Sequence, residues 1–81
     1  MDLRQLETFV EVCKYKSFSK AAEKLYITQP TVTSHIQNLE NELGTILINR
    51  SGKNMTLTQA GSLLFKYAGD IINTCEMAKF D

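Results

Sequence analysis

Tyr26–Gly44 reads YITQPTVTSHIQNLENELG, and it holds the only proline and the only histidine of an 81-residue chain. Thr28 has the chemistry of a helix N-cap, and Pro30 falls in the first turn, where a missing N–H costs little. At about 100° per residue, Val32, Ile36, Leu39 and Leu43 lie within about 60° of one another, a stripe that faces a core. Gly44 follows, able to take the left-handed conformation that ends helices. Opposite the stripe stand Pro30, Thr33, Ser34, Gln37 and Asn41, and no charge occurs between Thr28 and Gln37. A soluble helix usually fills its outer face with Lys and Glu. This one carries short neutral groups that donate and accept hydrogen bonds.

Working outward, residues 3–14 read as a first helix with Leu3, Leu6, Phe9, Val10 and Cys13 on one side. Ser17 or Ser19 can cap a short second helix in SFSKAAEKL, whose inner face is Ala21, Ala22 and Leu25. The alanine pair lets another helix approach closely, and Tyr26-Ile27 reads as a tight turn. Past Gly44, TILINR and MTL are short β-prone runs around a Ser-Gly-Lys-Asn tip, the pattern of a hairpin. Thr58 then caps a last helix reaching about Ala78. Its apolar stripe is Ala60, Leu63, Leu64, Tyr67, Ile71, Cys75 and Ala78. Phe65, Ala68 and Ile72 widen it to roughly 200°, twice the arc that a surface helix needs. The surplus is expected to be buried against a second chain.

Composition narrows the class. A hydrophobic fraction of 43% suits a folded domain, and 81 residues make one small one. No apolar run approaches the roughly 18 residues of a membrane span, and MDLRQLETFV lacks the basic and apolar regions of a signal peptide. A cytoplasmic location without membrane attachment is the expectation. Cys13 and Cys75 lie far apart among apolar helical positions and read as buried thiols rather than a disulfide. Nine basic and nine acidic residues cancel, but their placement does not. Between Lys14 and Lys66 seven basic side chains face three acidic ones, a net of +4, while six acids occupy the two ends. The middle of the chain is basic.

Mostly α-helical, with three helices, a tight turn between the second and third, and a hairpin behind them, the pattern describes a winged helix-turn-helix with a long helix appended. In that architecture the third helix enters the major groove and the second braces across the phosphates. Gln pairs with adenine, Ser and Thr with several base edges, and the Thr methyl with thymine. Lys14, Lys16, Lys20, Lys24, Arg50 and Lys53 would supply phosphate affinity. A Thr/Ser/Gln-rich face can equally be a merely solvated one, and four lysines about a helix can be an ordinary wet surface. Two other classes compete. Catalysis finds no Gly-rich phosphate loop, HExxH or paired carboxylates, so no catalytic residues and no cofactor are expected. Cys13, His35 and Cys75 lack metal-ligand spacing. A winged helix used only for protein–protein contact remains open, because the total charge is zero.

The segment LRQLETFVEVCKYKSFSKAAEKLYITQPTVTSHIQNLENELGTILINRSGKNMTLTQAG resembles the N-terminal DNA-binding domain of LysR-type bacterial transcriptional regulators, in register and without gaps. The shared elements are SFSKAAEKL, TQP, I-x-x-LE-x-ELG, the R-x-G-K wing and LT-x-AG. The resemblance implies a DNA-binding domain over residues 1–58, with the helix-turn-helix at about 18–37 and the wing at about 46–57. Residues 59–81 would be a linker helix that pairs with its copy in a homodimer. Base contacts are expected from Gln29, Pro30, Thr31, Thr33, Ser34 and Gln37, and backbone contacts from Ser17, Ser19, Lys20, Thr28 and His35. Arg50, Lys53 and Asn54 would form the wing at the minor groove. Leu64, Phe65, Ala68, Ile71, Ile72 and Cys75 would form the dimer helix. Many members carry Arg-Gln where this chain has Ser34-His35, which removes a long charged reach. An aromatic is usual where Ile48 stands. Members continue into an effector-sensing domain absent from these residues, so a small-molecule effector would act only through that domain.

Overall fold

The computed structural model describes residues 1–50 and 54–80. Along them run α1 (Leu3–Tyr15), α2 (Phe18–Leu25), α3 (Gln29–Leu43), β1 (Ile48–Asn49), β2 (Thr56–Leu57) and α4 (Gln59–Phe80). The two strands pair antiparallel, Ile48 opposite Leu57 and Asn49 opposite Thr56. Four helices and a two-stranded wing are the expected winged helix-turn-helix.

Each helix starts where a short polar side chain can satisfy a loose N–H. Asp2 accepts from the Gln5 amide at 2.8 Å, Ser17 from Lys20 at 3.1 Å, Thr28 from Thr31 at 3.3 Å and Thr58 from Gly61 at 3.0 Å. Such caps contribute about 1 kcal/mol apiece. Of the two serines able to cap α2, Ser17 takes the position, and the Ser19 hydroxyl lies 3.1 Å from its own. The ends are as sharp. Lys16, Tyr26 and Gly44 all adopt the left-handed conformation (φ 50°, 58° and 67°). Gly44 does so without strain. Tyr26 does so because the turn demands it: its amide donates to the Glu23 carbonyl and the Ile27 amide to Ala22.

α1 packs against the other three helices. Phe9 and Val12 of α1, Ala21 of α2, Val32, Ile36 and Leu39 of α3, Leu47, and Ala68 of α4 are all sealed from solvent. The buried arc of α1 is therefore wider than the stripe read from sequence, and it takes in Val12 and Thr8. Leu3 and Leu43, expected inside, are 36% and 41% exposed. Both lie at helix ends. Ile48, where the family favours an aromatic, is buried in the core.

The wing is fastened at its root. Glu40 Oε2 accepts from the amides of Leu47 at 2.9 Å and Ile48 at 3.3 Å. The Thr58 hydroxyl reaches the carbonyls of Ile46 at 2.6 Å and Leu47 at 3.2 Å, and the Thr58 amide donates to Leu47 at 3.0 Å. A Cβ on Gly61 would sit 2.0 Å from the Leu47 carbonyl oxygen, so only glycine allows α4 this close. The LT-x-AG pattern is thus a joint between the wing and α4.

The residues expected of the dimer helix fall into different surroundings along α4. Ala68 is fully buried in its own chain, and Leu64, Phe65 and Ile72 pack against the same core. None of these four is a free face, because α1 and the wing claim that side of the helix. The outward apolar stripe is Leu63, Tyr67 and Ile71, exposed by 54%, 55% and 45%. Ile71 alone of the six expected residues belongs to it; Cys75 is half-buried. Among the described residues, no helix is long and apolar enough to cross a membrane.

Candidate nucleic-acid interface

Thr28 and Pro30 start α3 so that one side of its first two turns faces outward. Gln29, Pro30, Thr33, Ser34 and Gln37 together line a single shallow, open surface there. Gln29, Pro30, Ser34 and Gln37 are exposed and Thr33 is half-buried. The polar side chains of Gln29, Thr33, Ser34 and Gln37 have no hydrogen-bond partner among the described residues. Every donor and acceptor on that surface is available to something else.

Thr31 is different. Its hydroxyl lies 2.8 Å from that of Thr28, so it points back along the cap rather than across the outward surface. His35 is on the flank that faces α1, half-buried, with Nδ1 2.8 Å from the Thr8 hydroxyl. Thr8, buried in α1, is a residue that sequence reading missed, since nothing in a helical stripe marks a threonine as the partner of a distant histidine.

The carboxylates of α3 are kept off the outward surface. Glu40 is bound to the wing root, and the Glu42 carboxylate is bridged by the N-terminal ammonium of Met1. Lys20 is exposed but lines a separate recess with Tyr15, Glu23, Lys24 and Tyr26. Lys14 makes a loose pair with Glu11 at 3.9 Å, on an exposed surface where such a pair adds little. Ser17 caps α2, with the exposed Ser19 hydroxyl 3.1 Å from its own. From the wing, the Arg50 guanidinium lies over the Phe18 ring, 4.6 Å from its centroid, a cation–π contact tying wing to α2. Asn54 is exposed; Lys53 lies outside the described residues. Burial pushes the Cys13 thiol up to about 12, which keeps it protonated and unreactive. Among the described residues no group of three His, Cys, Asp or Glu could hold a metal ion.

The family model described as "Bacterial regulatory helix-turn-helix protein, lysR family" matches residues 3–62. The chain belongs to the LysR family. Among its relatives is the HTH-type transcriptional regulator CysL of Bacillus subtilis (strain 168), 49% identical over 74 residues. That match takes in 91% of this chain and 25% of CysL, so the chain spans about a quarter of that relative's length. Among solved structures, the BenM DBD in a complex with catB site 1 DNA superposes with a TM-score of 0.91 at 41% identity. It covers 99% of this chain and 90% of that one. The CbnR DBD–DNA complex gives 0.90 at 33% identity, covering 98% and 91%. These LysR-family structures share both the core and the wing of this chain.

Proposed function

We propose that this chain binds double-stranded DNA with sequence selectivity, as the DNA-binding part of a LysR-type transcriptional regulator in the bacterial cytoplasm. α3 enters the major groove and the wing approaches the minor groove. One observation carries the reading: four neutral polar side chains stand uncommitted on one open surface of α3, while its carboxylates are engaged elsewhere. Such groups have the reach and the donor–acceptor mix that base edges require, and carboxylates there would repel phosphates. The two superposable relatives in complexes with DNA support the DNA-binding reading.

Roles follow from position. Gln29, Pro30, Thr33, Ser34 and Gln37 read bases. Thr28, Thr31 and His35 lie along the helix flank toward the sugar-phosphate backbone, as do Ser17, Ser19 and Lys20 at α2. Arg50, braced on Phe18, and Asn54 are assigned to the wing's contact, as is Lys53 on the resemblance alone. The outward stripe Leu63, Tyr67 and Ile71 on α4 pairs two chains, which presents two α3 helices to two half-sites. A small-molecule effector would act outside these 81 residues, and the chain itself works as a regulator rather than a catalyst.

Selection of bound duplexes from a random pool at moderate salt tests the whole reading. A recurring motif should emerge, with its two halves separated by about one helical turn or a multiple of it. Affinity should fall steeply with salt, by a log–log slope of about −0.9 for each phosphate neutralised. Recovery of single half-sites would remove the dimer. Failure to retain any duplex would remove DNA binding and leave a protein-contact module.

A further inference from the structure

β1 and β2 share two residue pairs, Ile48 with Leu57 and Asn49 with Thr56. A two-stranded ribbon this short is marginal in water by itself. Its root is pinned by the Glu40 carboxylate through the amides of Leu47 and Ile48. Arg50 follows β1 directly, outside those bonds, and its tether is of another kind. The guanidinium carbon lies over the Phe18 ring, 4.6 Å from the centroid.

Phe18 is placed to hold it. It opens α2 immediately after the Ser17 cap, and it is half-buried and packed against the core. The core fixes the ring, and the ring offers a face to the wing. Lys20 and Lys24 of α2 line the recess with Tyr15 and Tyr26 instead. No ion pair among the described residues involves Arg50. The cation is held by an aromatic face rather than by a carboxylate.

That distinction matters for DNA. A carboxylate would neutralise the guanidinium and occupy donors at its edge. A ring under the flat face does neither, because the N–H donors lie in the guanidinium plane and the charge remains. Stacking also restrains a long side chain before any partner arrives, so less freedom is lost on binding.

We infer that Phe18 is a positioning residue for the wing: by holding the Arg50 guanidinium against its ring, it prepares that cation for the narrow minor groove of an A·T-rich flank. The inference rests on the DNA-binding reading. A-tracts narrow the minor groove, and the negative potential concentrated there attracts arginine. An A·T pair presents only acceptors at that edge, which suits a group that only donates. A G·C pair adds the guanine amino group, which sets N–H against N–H. α2 thereby contributes to the choice of site without touching a base.

The test uses the full 81-residue chain and the duplex recovered from the random pool. Three labelled versions differ only in the flanks beyond the recovered motif, which are A·T, G·C or inosine·C pairs. Inosine lacks the guanine amino group, so inosine·C resembles A·T in the minor groove and G·C in the major groove. In fluorescence anisotropy the parent should bind the A·T and inosine·C flanks several-fold more tightly than the G·C flank. Phe18→Leu and Phe18→Met remove the aromatic face but keep an apolar side chain, and both should lose that discrimination. Phe18→Tyr should restore it. Arg50→Lys keeps the charge without the flat stack and should lose it as well. Circular dichroism confirms that each variant is folded. Equal affinities of the parent for all three flanks, or inosine·C bound like G·C, would overturn the inference while leaving DNA binding intact. So would a folded Phe18→Leu, Phe18→Met or Arg50→Lys chain that keeps the parent's discrimination. A parent that retains no duplex from the pool would overturn the underlying reading as well.

Discussion

The two halves of α3 are both polar on their outer side and are put to opposite uses. From Gln29 to Gln37 the outward side chains make no hydrogen bond within the described residues, and their polar groups stay unspent. From Glu40 onward the polar groups are absorbed by the fold: Glu40 holds the wing root and Glu42 meets the N-terminus. A surface kept for a partner is recognisable by what its side chains do not do for their own chain. Substitutions in one half should therefore cost stability, and in the other half recognition.

The largest effect is expected where the clamp is tightest. Gly61→Ala forces a methyl to 2.0 Å from the Leu47 carbonyl oxygen, which requires α4 or the wing root to move. Overpacking of this kind costs about 3 kcal/mol, to be read as a lowered urea midpoint. A midpoint equal to the parent's would show that the joint is loose.

Glu40→Ala comes next. It leaves the Leu47 and Ile48 amides without their acceptor and should cost about 2 kcal/mol. If DNA discrimination fell while stability held, the division of labour along α3 would be wrong. Gln29→Ala should do the reverse. Unfolding stability should stay within about 0.5 kcal/mol, while discrimination between selected and random duplexes drops by about 1 kcal/mol or somewhat more. A loss of stability there would mean that the outward surface is holding the fold together.

Much of this arrangement was legible in the sequence because it rests on local chemistry. Thr28, Pro30 and Gly44 mark the ends of α3 by capping rules alone, and Val32, Ile36 and Leu39 mark its buried side by periodicity. Other features depend on what lies across from them. Periodicity placed Leu43 on the inner stripe, but whether a neighbour extends that far is a property of the assembled helices. The apolar arc of α4 is wide in the sequence, and spacing alone does not say which part of it the chain's own core takes. Ala68, Leu64, Phe65 and Ile72 went to the chain's own core, leaving Leu63, Tyr67 and Ile71 outside. Thr8 and His35 lie 27 positions apart, and their bond exists only because α1 crosses α3 at that point.

The joint at Thr58 and Gly61 has a mechanical side. α4 is 22 residues long, roughly 33 Å at about 1.5 Å per residue, and the chain's own core holds it from the wing root as far as Ile72. Beyond Ile72 it continues as an arm of roughly 12 Å. A push at the tip of that arm meets the packed side chains at Ala68 and Ile72 before it arrives at the glycine contact with Leu47. The helix therefore transmits a displacement to the wing as a rigid strut rather than as a hinge.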